Sequence, residues 1–169
     1  MGKAYFKYWG KAKKDPEHDG TAYHLLPYHC LDVAAVAAVW LEESTTLLTQ
    51  IASHLNIEEE RAKRIVLFFI LLHDLGKFDS RFQNFCEDIR QKLQGDTWGL
   101  DPDLTYYSHG SCGYKQFCEM YDSNDAMKAV AGHHGYCDTS FTYHEPDADD
   151  ELIKLDEQAR KEWLEFSIA

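Results

Sequence analysis

An all-α domain of roughly seven helices is the fold that this 169-residue sequence predicts. Three observations lead there. Apolar residues recur at three- and four-residue spacing through most of the chain, the alternation of a half-buried strand is almost absent, and Asn, Ser, Asp and Gly stand where apolar segments start and stop. With 44% hydrophobic residues, a chain of this length supports one substantial core and one domain over residues 1–169.

Between Cys30 and Leu41 the chain is Leu, Val, Ala and Trp with one acid, Asp32, which predicts a first helix buried nearly all round. Leu47, Leu48, Ile51, Ala52 and Leu55 then share one face of a second helix closed by Asn56. Asn56 can also cap the next helix, with Glu59 in the place of a capping-box carboxylate. That third helix, Ile57 to Leu72, is the most apolar, which places it at the centre, and Gly76 suits a left-handed turn after it. A fourth helix begins at Asp79 or Ser80, buries Phe82, Phe85, Cys86, Ile89 and Leu93, and ends at Gly95. Gly, Pro and Asp between Gly95 and Thr105 predict a loop. Ser108 opens a fifth helix through Tyr121, and Ser123 or Asn124 a sixth that ends at the HHG of residues 133–135. Leu152, Leu155, Ala159, Trp163 and Phe166 mark a last amphipathic helix.

No stretch reaches the roughly 18 apolar residues of a membrane span, and MGKAYFKYWGKAKKD lacks the apolar centre of a signal peptide. The chain therefore reads as soluble and cytoplasmic, with no membrane partner. Five cysteines, without a C-x-x-C pair, suit free thiols in a reducing compartment. The balance of 17 basic against 29 acidic residues, a net charge of -12, argues against a protein that holds nucleic acid over its whole surface. Lys3, Lys7, Lys11, Lys13 and Lys14 nevertheless crowd among Tyr5, Phe6, Tyr8 and Trp9. Such an arm can meet a nucleic-acid backbone through Lys3, Lys7 and Lys11 and stack a base on Trp9. A solvated terminus whose aromatics pack on the core is the plainer reading, and composition favours it.

The chemical question lies in VLFFILLHDLGKF, residues 66–78. A carboxylate at the end of so apolar a run must neutralise, or find a partner that repays several kcal/mol of desolvation. Histidines lie where helices begin and end: His29, His73 beside Asp74, His109, and His133 with His134. Imidazole suits divalent transition ions and a carboxylate can bridge two of them, so a metal pair is the partner that keeps Asp74 ionised. Each piece alone has a plainer explanation. A His-Asp dipeptide arises by chance, and a histidine at a helix end favours the dipole without any metal. His18, His54 and His144 read as surface residues, and His24 gives way to His29 because only His29 starts the apolar helix.

In YWGKA at 8–12, HLLPYHCLDVAAVA at 24–37, FFILLHDLGKFDSRFQ at 68–83, SHG at 108–110 and VAGHHG at 130–135, the chain resembles the HD-domain metal-dependent phosphohydrolases. Within them it is most similar to the N-terminal nuclease domain of the CRISPR-associated helicase-nuclease of type I systems, particularly subtype I-E, through about four fifths of its length. The resemblance implies an HD-domain helical bundle. It assigns His29, His73 and Asp74 to one metal and Asp74, His109, His133 and His134 to a second, with Asp74 as the catalytic bridge. It gives Lys77 a contact to a phosphate oxygen, where a surface charge after a helix end is the plainer alternative, while Asp32, one turn after His29, orients a ligand from behind or is simply solvated.

The implied activity is hydrolysis of phosphodiesters in single-stranded DNA, by nicking and then degradation. Two divalent transition ions (Ni, Co, Mn or Fe, rather than Mg) would assist it. The implied partners are a helicase domain or subunit and an RNA-guided CRISPR surveillance complex. No G-x-x-x-x-G-K-[ST] loop is present, so the motor lies elsewhere. The family draws a further aspartate from beyond the His-His pair, and none of Asp138, Asp147, Asp149, Asp150 or Asp156 stands in the matching context. A domain shortened at its C-terminus, with an under-coordinated first metal, is the resulting expectation. Two alternatives stay open: an HD phosphohydrolase acting on nucleotides or cyclic nucleotides, and a degenerate, non-catalytic HD module that docks a partner.

Overall fold

The computed structural model describes residues 2–13, 23–95, 107–122, 124–140 and 149–169. Of the sequence expectations, the loop after Gly95, Lys14, His18, Ser123, His144 and Asp147 lie outside those residues. The described chain is dominated by eight α-helices: α1 Leu26–Glu43, α2 Thr45–Leu55, α3 Glu59–Leu71, α4 Ser80–Gln83, α5 Glu87–Gln94, α6 His109–Met120, α7 Asp125–Ala131 and α8 Asp150–Ile168. The all-α expectation holds, with one small addition. Strand β1 (Trp9–Ala12) pairs antiparallel with β2 (Tyr23–Leu25), the register shifting between Trp9 and Lys11. No helix among the described residues is long and apolar enough to cross a membrane, and no disulfide joins the five cysteines.

Pro27, in the first turn, needs no amide donor there and starts α1 at Leu26, so His29 lies inside that helix instead of opening it. The helix is not buried all round. Leu26, Cys30, Ala34 and Leu41 face inward, while Val36 is 71% and Trp40 58% exposed. Asn56 closes α2 in the left-handed conformation (φ 53°). It does not also cap α3, whose N-cap is Glu58, and Glu59 instead accepts a hydrogen bond from Thr49 Oγ1. Ser108 caps α6 and Asn124 caps α7 through their side chains, as expected.

Two corrections move the centre of the molecule. Within α3 only Ala62 is fully buried, whereas the turn that follows it supplies Leu72, Leu75 and Phe78, all with no exposed surface. The fourth helix is also not continuous. It breaks into α4, a 3-10 turn at Asn84–Cys86 and α5, which leaves Phe85 57% exposed. At the break Gln83, fully buried, accepts from the Trp9 amide and donates to the carbonyls of Trp9 and Lys77, and its own carbonyl accepts from the Trp9 indole, which ties the end of α4 to β1. Leu75, Phe78, Tyr8, Leu26 and Trp163 join in one core, so the HDLGKF turn is its middle. The N-terminal aromatics belong there too: Tyr5, Tyr8 and Trp9 are buried, and Tyr5 packs edge-on against Trp163 of α8.

Candidate metal centre

Asp74 stands at the end of α3, 1% exposed, at the meeting point of α1, α6 and the end of α7. Glycine lets those elements approach. A Cβ on Gly76 would lie 2.0 Å from the His109 carbonyl oxygen and 2.7 Å from the Gly113 amide, and one on Gly110 would lie 2.3 Å from the Ala131 carbonyl oxygen. Gly76 is therefore required for contact with α6 and not for a left-handed turn; the positive-φ glycines among the described residues are Gly95 and Gly135. The Gly110 contact seats the start of α6 on the end of α7, which is how His109 reaches His133 across 5.6 Å between ring centroids.

The two oxygens of Asp74 face different histidines. Oδ2 lies 3.1 Å from His29 Nε2 and 3.2 Å from His73 Nε2, while Oδ1 lies 3.4 Å from His109 Nε2 and 3.6 Å from His133 Nε2. Two ligand groups result, His29–His73–Asp74 and His109–His133–His134, each with its donor atoms within 4.8 Å of one another. His134 completes the second, its ring 4.1 Å from His133 and 5.1 Å from His109. Two imidazoles are oriented from behind. The Nδ1 atoms of His73 and His133 each sit 2.8 Å from the carbonyl three residues earlier, Ile70 and Val130, which leaves Nε2 turned toward Asp74.

This donor set fits divalent cations. Both Asp74 oxygens and His109 Nε2 are buried and lack a hydrogen bond of good geometry, although imidazoles surround them. Burial alone would push the Asp74 carboxyl up, but His29, His73 and Lys77 outweigh it and hold the group well below the usual carboxylate range. Burial pushes His109 down to about 4 and lowers His133 as well, so both rings are neutral and keep a lone pair near pH 7. Among the described residues Asp74 supplies the carboxylate of these two groups and no second acid joins them.

The structure brings His29, His73, Asp74, His109, His133 and His134 together. The other sequence candidates stand outside these two ligand groups, Lys77 against Asp74 and Lys11 in the cavity wall among them. Lys77 is not a surface charge: it is 4% exposed, with Nζ 2.7 Å from Asp74 Oδ2 and donating to the Gly10 carbonyl. Asp32 orients no ligand; on the outer side of α1, its 70%-exposed carboxylate lies 3.6 Å from His24. Trp9 cannot stack on a base, because it is buried with its indole N–H donated to the Gln83 carbonyl. Lys3 and Lys7 are exposed on or beside a 3-10 turn (Ala4–Lys7), whose Ala4 amide donates to Glu162 of α8, and only Lys11 of the arm residues proposed for nucleic acid lines the cavity over the centre. Sequence reasoning missed Gly110, Gln83 and the Ile70 and Val130 carbonyls.

A family model described as "Cas3, HD domain" matches residues 9–168. The CRISPR-associated endonuclease/helicase Cas3 of Escherichia coli K12 is 33% identical over 192 residues, covering 93% of this chain and 21% of that protein. Crystal structures of T. fusca Cas3 and of T. fusca Cas3-AMPPNP share the fold with TM-scores of 0.66 and 0.63 at 22% identity, each over 96% of this chain and 19% of theirs. The chain thus spans about a fifth of the length of the curated relative it matches. A match through nearly every described element, over a centre in which one aspartate divides two histidine groups, means that the chain belongs to the Cas3 HD-domain family.

Proposed function

We propose that this chain is a metal-dependent nuclease unit that hydrolyses phosphodiester bonds in single-stranded DNA, nicking and then degrading it. It works in the cytoplasm with a helicase domain or subunit, and an RNA-guided CRISPR surveillance complex delivers the DNA. The observation that carries the reading is the division of Asp74, one oxygen toward each histidine group. The names of the curated relative and the matching family support the choice of a nuclease over the other chemistries of the fold.

His29, His73 and Asp74 would hold one divalent ion, and His109, His133 and His134 with the other Asp74 oxygen a second. When bound, such ions supply Lewis acidity to a phosphodiester and lower the cost of deprotonating water. Five imidazoles and one carboxylate favour Mn, Fe, Co or Ni over Mg, which prefers oxygen. The chain's own residues prepare the site. Burial keeps His109 neutral, the Ile70 and Val130 carbonyls fix two rings, and Lys77 offsets the Asp74 charge while the Gly10 carbonyl holds its ammonium. Lys11, exposed on the cavity wall, places a positive charge where a phosphate would enter.

The test is incubation of the purified chain with circular single-stranded DNA and, separately, a cyclic dinucleotide, in Mn²⁺ or Ni²⁺. Conversion of circles to linear and then shorter DNA is expected. Turnover of the dinucleotide with intact circles would overturn the reading in favour of a nucleotide phosphohydrolase, and inertness toward both, for the chain alone and together with its helicase domain or subunit, in favour of a docking module.

A further inference from the structure

Two cavities adjoin at Lys11. One of about 390 Å³ lies over the metal centre, with Lys11, His29, Asp74 and His133 in its wall. The other, about 710 Å³, is formed by Lys11, Lys13, Tyr23, His24, Leu25 and Tyr28. The register shift between Trp9 and Lys11 explains the lysines: regular alternation would put both on one face, but across the irregularity Trp9 turns into the core and Lys11 turns out, with Lys13 exposed just past the strand. Tyr28 is the residue before the ligand His29 and is half exposed, its ring 6.3 Å from His24 and 5.7 Å from Phe6. Lys92 of α5 places its ammonium 5.2 Å over the Tyr23 ring and adds a third positive charge to this side. Among the described residues the one acid paired with these rings is Asp32, 3.6 Å from His24 Nε2. In a chain of net charge -12 this is a local reversal of sign, beside flat rings that the core leaves partly uncovered.

We infer that this second cavity is a holding groove for single-stranded polynucleotide, in which Lys11 and Lys13 take backbone phosphates while Tyr28 and His24 stack the bases that flank the bond at the metal centre. The inference deepens the nuclease reading and rests on it. Continuity through Lys11 selects a polymer, because one strand can lie in both cavities at once. Cations beside exposed rings are what a sequence-tolerant single-strand site requires, since every base offers a face to stack and every linkage a charge. The groove also lets a strongly acidic chain hold DNA locally.

Fluorescence anisotropy of a labelled oligothymidylate, measured in EDTA at several salt concentrations, tests the groove without cleavage; cutting of the same oligomer in Mn²⁺ is followed in parallel. Tyr28→Ala is expected to weaken binding about tenfold and Tyr28→Phe to restore it, as loss of one stacked base predicts. The double change Lys11→Ala with Lys13→Ala is expected to flatten the log–log salt dependence by about 1.4, roughly 0.7 for each phosphate contact to a single strand. Bound Mn²⁺ and melting temperature should not change in any of the three. If the wild type cuts the oligomer while all variants bind it as the wild type does, the groove is wrong and the nuclease reading stands. If the wild type neither binds nor cuts it, both fall.

Discussion

Asp74 and Asp156 are both buried aspartates in one small core, 1% and 2% exposed, and their surroundings treat them in opposite ways. Around Asp156 every need is met from within. Tyr8 O–H donates to Oδ1 and the Ser80 amide to Oδ2, while neighbouring Asp79 is clasped by Arg81 through Nε on one oxygen and Nη2 on the other. Around Asp74 the nearest groups are four imidazole nitrogens and one ammonium, and neither oxygen gains a well-formed hydrogen bond. Burial, and next the charge of Asp79, raises Asp156 to about 7, whereas the His29, His73 and Lys77 neighbours carry Asp74 the other way against burial. A buried acid is therefore not in itself a functional sign. What distinguishes the candidate metal centre is unspent acceptor capacity facing imidazoles of a kind that can ligate cations.

The sharpest way to break this comparison is to make the closed region resemble the open one. Arg81→Ala leaves Asp79 buried without its forked partner, and a loss of about 3–5 kcal/mol is expected in urea unfolding, as for other broken buried pairs. A loss below about 1 kcal/mol, the size of an exposed pair, would mean that this region is wetter than described. Gly76→Ala acts between the two regions. Its methyl group collides with backbone of α6, so a cost of about 3 kcal/mol is expected, together with weakened metal binding through His109 as α6 is pushed away. Unchanged stability would show that α6 is free to slide.

The smallest effect is on pH dependence. Folding holds His109 near 4, below its ordinary value, and lowers His133, so the unfolded chain takes up protons that the folded chain refuses. Stability that the neutral rings contribute is complete above about 6.5 and is lost as pH falls toward 4. The melting temperature of metal-free protein should drop by a few degrees across that window, with the drop reduced in His109→Gln.

Much of the centre was legible because chemistry is written in residue type. Five histidines near helix ends, and an acid that follows His73 after seven apolar residues, need little geometry to be suspected as ligands. What stayed hidden depends on neighbours distant in sequence. Gly76 read as a turn residue because nothing local records that α6 will press on it, and Asp32 lies only three residues from His29 yet faces away from the centre. Trp9 carries the same side chain whether it stacks on a base or fills a core; the register shift that separates it from Lys11 on a short strand decides, and neither the strand nor its irregularity shows in periodicity. The break after α4 falls at one buried amide, Gln83, in a segment whose apolar pattern runs straight through it.

Metal content bears most directly on the account. Wild type, Asp74→Asn and Asp156→Asn, purified in parallel, exposed to Mn²⁺, desalted and assayed by elemental mass spectrometry, should divide cleanly. Wild type and Asp156→Asn are expected to retain divalent ion alike, and Asp74→Asn to retain little or none while still folded. Equal metal in all three proteins would contradict the account, because Asp74 would then be one more buried acid and not the bridge between two histidine groups.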